Sequence, residues 1–113
     1  MNWFSDTGDL EALRAECGDP VGFPASDADV LFCDWHESDH SGGFYLLFKR
    51  GSELFEQQLE HCSCNSYMED SDSWARLPAV SREYLLNRKP PYTPSASDAE
   101  AQVAWDAMLE LCV

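Results

Sequence analysis

Twenty-one carboxylates against seven basic side chains leave this 113-residue chain with a formal charge of −14, and any fold open to it must keep that charge in water. Self-repulsion of this size opposes compactness. The chain is nevertheless 44% hydrophobic, with four Trp, six Phe and four Tyr, which is too apolar for a disordered acidic tail. The charge therefore belongs to the surface of a folded unit. One domain, residues 1–113, is the expected count, since single domains cluster near ~100–150 residues.

The acids are unevenly placed. Residues 1–40 hold ten acids and one base, residues 41–75 hold six and two, and residues 93–113 hold four and none. Only residues 76–92 are net positive, with Arg76, Arg82, Arg88 and Lys89 against Glu83. Nucleic acid and anionic membrane would both be repelled, so the natural partner is a basic surface. No apolar run approaches the ~18–20 residues of a membrane span, and the N-terminus lacks the basic and apolar regions of a signal peptide. A cytoplasmic location is expected.

Leu10, Leu13 and Cys17 recur at i, i+3, i+7 behind Asp6 and Asp9, which predicts a short N-terminal helix stopped by Gly18 and Pro20. Asp29–His36 reads as a strand, with Val30, Phe32 and Asp34 on one face and Leu31, Cys33 and Trp35 on the other. Phe44–Arg50 alternates through Phe44, Leu46 and Phe48, and Gly51-Ser52 turns the chain into a third strand, Glu53–Cys62. In that strand Phe55 and Leu59 face inward while Glu56 and Glu60 face away. A polar loop, Asn65–Ser73, leads to a helix over Pro78–Lys89 that Pro90-Pro91 ends. Ser97 with Glu100 makes a capping-box pattern ahead of a last helix, whose apolar stripe is Val103, Ala104, Ala107, Met108 and Leu111. The expected fold is α+β, a three-stranded antiparallel meander with the N-terminal helix and two C-terminal helices packed on one face. The other face is expected to carry Asp, Glu and Gln into water.

Five cysteines are many for the length, but the number is odd and no secretion signal accompanies them. They read as buried thiols or metal ligands rather than a disulfide framework. His61-Cys62-Ser63-Cys64 is the most distinctive local sequence. On a strand Cys62 and Cys64 share a face and supply half of a tetrahedral zinc site, which Cys33 and His36, or His40 and His61, would complete. Against this, the paired Cys-x₂₋₄-Cys or His-x₃₋₅-His knuckles of a structural zinc site are missing, and no cofactor is expected. His61 and Cys62 would point to opposite faces, so a Cys–His catalytic pair is not expected either. With no Gly-rich phosphate loop, the chain reads as a binding protein and not an enzyme.

Val30-Leu31-Phe32, Phe44-Tyr45-Leu46-Leu47-Phe48 and His61-Cys62-Ser63-Cys64 together resemble a group of small acidic phage and prophage proteins. In these, paired strands end in a His-Cys-Ser-Cys segment with an aromatic next; here Asn65 holds that place and Tyr67 follows two positions on. The resemblance implies a virus or mobile element as origin. By class-level similarity it implies an anti-defence role of the anti-CRISPR or anti-restriction kind, in which an acidic protein mimics DNA. The expected function is inhibition of a host defence complex by occupying its basic, nucleic-acid-binding surface. The acids expected to do so are Asp9, Glu11, Glu16, Glu53, Glu56 and Glu60. A zinc-stabilised adaptor built on Cys62 and Cys64 is the alternative.

Overall fold

The run Phe44-Tyr45-Leu46-Leu47-Phe48 decides the architecture, because every one of its side chains is buried. Alternation places Phe44, Leu46 and Phe48 on one face of the strand and Tyr45 and Leu47 on the other. Both faces must therefore be covered. In the computed structural model, which describes residues 3–5, 7–62, 66–87 and 98–111, they are.

The described elements, in chain order, begin with β1 (Trp3–Ser5), α1 (Leu10–Glu16), β2 (Val30–Glu37), β3 (Gly42–Arg50) and β4 (Glu53–His61). A 3₁₀ segment (Tyr67–Arg76), α2 (Arg82–Leu86) and α3 (Asp98–Leu111) follow, and a one-turn 3₁₀ helix over Asp27–Asp29 leads into β2. The sheet order is β1-β2-β3-β4. The meander β2-β3-β4 is antiparallel, as expected, with Trp35 opposite Phe44 and Phe44 opposite Leu59. A fourth strand was not expected: β1 pairs with β2 in parallel, Phe4 opposite Asp34. Parallel neighbours require a crossover, and the segment with α1 between β1 and β2 provides it. Three residues are too few to show a period, which is why β1 is silent in the sequence.

The sheet also differs from expectation in its layers. On one face α1 and the 3₁₀ segment close a core of Leu10, Leu13, Cys17, Cys33, Trp35, Phe44, Leu46 and Phe48 with Tyr67 and Trp74. Trp74 stacks on Phe44 at 5.9 Å between ring centres and meets Phe23 at 4.8 Å. On the other face α2 and α3 close a second core of Phe32, Tyr45, Leu47, Leu85, Ala104, Trp105 and Met108. The helices thus sit on both faces, and at the far end of the second face Gln58 and Glu60 are exposed.

Three local corrections have clear causes. The β2–β3 register shifts between Val30 and Phe32, which turns Val30 onto the Cys33/Trp35 face and Leu31 onto the other. The helix expected over Pro78–Lys89 is confined among the described residues to Arg82–Leu86. Val80 is held extended by donating its N–H to the Leu54 carbonyl at 2.8 Å, and Ser81 then caps the helix through the Tyr84 N–H. In α3, Ala101, Ala104, Trp105 and Met108 are buried while Val103 is 70% exposed. Burying the indole of Trp105 against Phe32, at 5.4 Å, sets the rotation of the helix against the weaker pull of Val103. Ser97, the expected cap of this helix, lies outside the described residues.

The predicted stripe of α1 holds: Leu10, Leu13 and Cys17 are all buried, and the Asp9 carboxylate accepts the Ala12 N–H at 2.9 Å. The loop behind it is pinned at Gly22. A β-carbon there would come within 2.8 Å of the Trp74 carbonyl, and the Arg50 guanidinium donates to the Gly22 carbonyl at 2.7 Å.

Cys17 and Cys33 are free thiols without solvent contact. Burial, reinforced by Glu16, pushes the Cys17 thiol from its ordinary 9.0 up to about 12. Burial also raises Cys33 well above the ordinary range, with Asp34 adding to it, and burial followed by the charge of Glu37 raises Tyr67. All three groups are held protonated by the fold, so their contribution is complete below their unfolded values and is lost as pH climbs through the folded ones. Each unit of such a shift corresponds to about 1.4 kcal/mol. Unfolding by urea is expected to become easier from about pH 9 upward, in the range where unfolded thiols and phenols ionise. Native Cys17 and Cys33 should also resist iodoacetamide at pH 8 and react once unfolded. A midpoint constant to pH 10.5, or alkylation of both thiols in the native protein, would contradict the burial described.

Candidate interaction surface

The six acids expected to meet a partner divide between the two sides of the sheet. Asp9, Glu11 and Glu16 ride on α1, over the Trp35/Phe44 face. Glu56 and Glu60 alternate with Phe55 and Leu59 and so point to the Tyr45 side, and Glu53 stands at the β3–β4 turn opposite Arg50. Several have work inside the fold. Asp9 caps α1, and Glu11 forms an ion pair with Arg14. Glu56 accepts the Tyr45 hydroxyl on one oxygen at 2.7 Å and the Tyr84 hydroxyl on the other at 2.6 Å, which ties β3, β4 and α2 together. Glu16, by contrast, is exposed and forms no ion pair among the described residues.

Glu16 has neighbours that the sequence places in a loop. Tyr67 and Trp74, both buried, fix the two ends of the 3₁₀ segment against the sheet and turn Glu69 and Asp72 outward with Asp70 half-buried between them. The buried Gln57 side chain reinforces this by donating to Ser73 at 2.8 Å, and Ser73 donates to the Asp70 carbonyl at 2.7 Å. This segment lies beside the end of α1, since a β-carbon on Gly18 would stand 3.2 Å from the Met68 side chain. One layer therefore presents Glu16, Asp19, Glu69, Asp70 and Asp72. Of the nearby cations, Arg14 reaches the Pro24 carbonyl at 2.7 Å and approaches Asp19 at 3.8 Å, Arg50 lies 4.5 Å over the Phe55 ring, and Arg76, which ends the 3₁₀ segment, is exposed. The aromatic pair Tyr67 and Trp74, seven residues apart, is the signal that this stretch is anchored and not a free loop.

A second carboxylate node closes the end of the first core. Glu37, Gly42 and His61 are opposite one another across three strands. A β-carbon on Gly42 would collide with the Glu37 carboxylate, so the missing side chain is what lets Glu37 cross β3. It meets His61 Nε2 at 2.7 Å and accepts the Tyr67 hydroxyl at 3.0 Å, and the His61 and Tyr67 rings meet edge-on at 4.7 Å. His61 is thus half-buried and bonded.

The metal reading finds no ligand set among the described residues. Cys62 is disulfide-bonded, so it is neither the buried thiol nor the zinc thiolate expected of it. Its partner and Cys64 lie outside the described residues. Cys33 is buried on the Trp35 face, whereas His36 lines a polar cleft of about 100 Å³ on the opposite face with Asp34, Tyr45, Gln58 and Glu60. The two cannot converge on one ion. No described helix is long and apolar enough to cross a membrane.

Acids that serve the fold and acids that face solvent should separate in stability measurements. Glu56→Ala leaves two tyrosine hydroxyls without their acceptor and is expected to cost about 1–3 kcal/mol in urea unfolding. Glu16→Ala should change stability by less than about 0.5 kcal/mol. Equal effects would contradict the division.

No protein-family model, curated protein or solved structure matches this chain.

Proposed function

We propose that this protein is a non-enzymatic inhibitor, of phage or mobile-element origin, that occupies the basic nucleic-acid-binding surface of a host defence complex. The observation that carries the reading is the layer of α1 and the 3₁₀ segment, where Glu16, Asp19, Glu69, Asp70 and Asp72 stand on a backbone fixed by Leu13, Tyr67 and Trp74. Duplex DNA offers one charge per roughly 1.7 Å of axis, and its binders carry matching cationic grooves. Carboxylates held on a rigid support meet such a groove without the ordering cost that a flexible acidic tail would carry. The reading moves the centre of the contact from the acids of β4 to those of the 3₁₀ segment. Asp9, Glu11 and Glu56 become supports of the surface, and Glu16 remains within it.

Immobilised protein should retain nucleic-acid-binding proteins from a bacterial lysate at low salt and release them when duplex DNA is added. The triple variant Glu16→Lys, Glu69→Lys, Asp72→Lys should retain them at least about 10-fold less well, because like charges then face each other. Retention that neither DNA nor the triple variant diminishes would overturn the reading.

A further inference from the structure

A different feature lies on the far side of the sheet. Phe4 of the edge strand β1 and the outer flank of α3 enclose an open groove of about 470 Å³, lined by Phe4, Ala99, Glu100, Val103, Ala104 and Ala107. Its wall is apolar, and Val103 at 70% exposure is among the most exposed large apolar side chains described. The volume is in the range of roughly 300–1,000 Å³ that ligand clefts occupy. The groove is open, however, and suits side chains presented by another polypeptide better than an enclosed small molecule.

Charge selects the occupant. α3 carries Asp98, Glu100, Asp106 and Glu110 and no base, and Glu100, Asp106 and Glu110 are exposed along the same helix as Val103 and Ala107. A second copy would bring another −14 to this contact, and nucleic acid or an anionic membrane would be repelled as well. An apolar trough beside a helix with only acids fits a segment that is apolar on one side and basic around it. The geometry points to the Phe4–Val103–Ala107 groove as a docking site for a basic amphipathic helix of a protein partner, its apolar side chains seated against Val103 and Ala107 and its Lys or Arg side chains toward the acids of α3. This is the helix-in-groove mode, read as anchors at i, i+3 or i+4, and i+7. The site lies on the opposite layer from Glu16 and Glu69 and does not depend on the inhibitor reading.

The test uses the full chain and two synthetic 18-residue peptides of Leu and Lys with identical composition, one with Leu at helical spacing and one scrambled. The patterned peptide is expected to bind at least 10-fold more tightly and to shift the backbone amide signals of Phe4, Val103 and Ala107. Val103→Asp adds a favourable charge yet removes the apolar anchor, so it should abolish most of that preference; at so exposed a position the thermal unfolding curve should stay unchanged. The triple variant of the acidic layer should keep the preference for the patterned peptide, which separates failure here from failure of the inhibitor reading. Equal affinity for the two peptides, or shifts confined to α1 and the 3₁₀ segment, would overturn the proposal. So would self-association of the chain alone in sedimentation that Val103→Asp abolishes, since the groove would then belong to a second copy.

Discussion

Seven consecutive buried residues, Gly42 to Phe48, make β3 the member on which the rest of the molecule depends. A strand with apolar side chains on both faces cannot be left half in water, so two separate layers are required, one for Phe44, Leu46 and Phe48 and one for Tyr45 and Leu47. α1 with the 3₁₀ segment answers the first demand, and α2 with α3 answers the second. Each layer is anchored by a tryptophan without solvent exposure to speak of, Trp74 on one side and Trp105 on the other. Fully burying a large apolar side chain is worth about 1.5–3 kcal/mol. The buried Trp74 thereby holds a 3₁₀ segment of poor helix-forming character in place, and Trp105 fixes the rotation of the 14-residue α3.

The two-sided core also explains where the charge ends up. With both sheet faces occupied, most carboxylates are forced to the outer surfaces of the covering layers or to the strand ends. Two on the strands are absorbed: Glu37, at the end of β2, by His61 and Tyr67, and Glu56, within β4, by Tyr45 and Tyr84. On the outer side of α1 and the 3₁₀ segment Glu11 and Asp19 meet Arg14, whereas Glu16, Glu69 and Asp72 are exposed and form no ion pair among the described residues. Both covering layers therefore turn carboxylates outward, α1 and the 3₁₀ segment with Glu16, Glu69 and Asp72, and α3 with Glu100, Asp106 and Glu110.

Much of this was legible before any coordinates. The spacing of Leu10, Leu13 and Cys17 located α1, and the Gly51 turn fixed the register of β3 with β4, because a two-residue turn leaves little freedom in pairing. The inward set Phe55 and Leu59 followed from the period of two. The two layers are also legible in principle, because an unbroken Phe-Tyr-Leu-Leu-Phe run marks a strand buried on both faces, where simple alternation predicts one. Other features carry no local signal. β1 is three residues long, and its parallel pairing depends on contacts some 30 residues distant. The rotation of α3 depends on what Trp105 meets across the sheet. The bonding state of Cys62 and the reach of Glu37 over Gly42 are likewise tertiary facts.

The central claim is that display acids on the α1 and 3₁₀ layer, and not the structural acids of the strands, carry association with a basic protein. Its most direct measurement is the dissociation constant of the complex with the basic protein that low-salt capture returns, followed by calorimetry from about 0.05 to 0.3 M salt, across which the screening length shrinks about 2.5-fold. The account expects the affinity of the wild type to fall steeply and linearly on logarithmic axes, and the slope to flatten when Glu16, Glu69 and Asp72 are neutralised to Gln or Asn. An affinity indifferent to salt, or a slope unchanged by neutralising those three carboxylates, would contradict it.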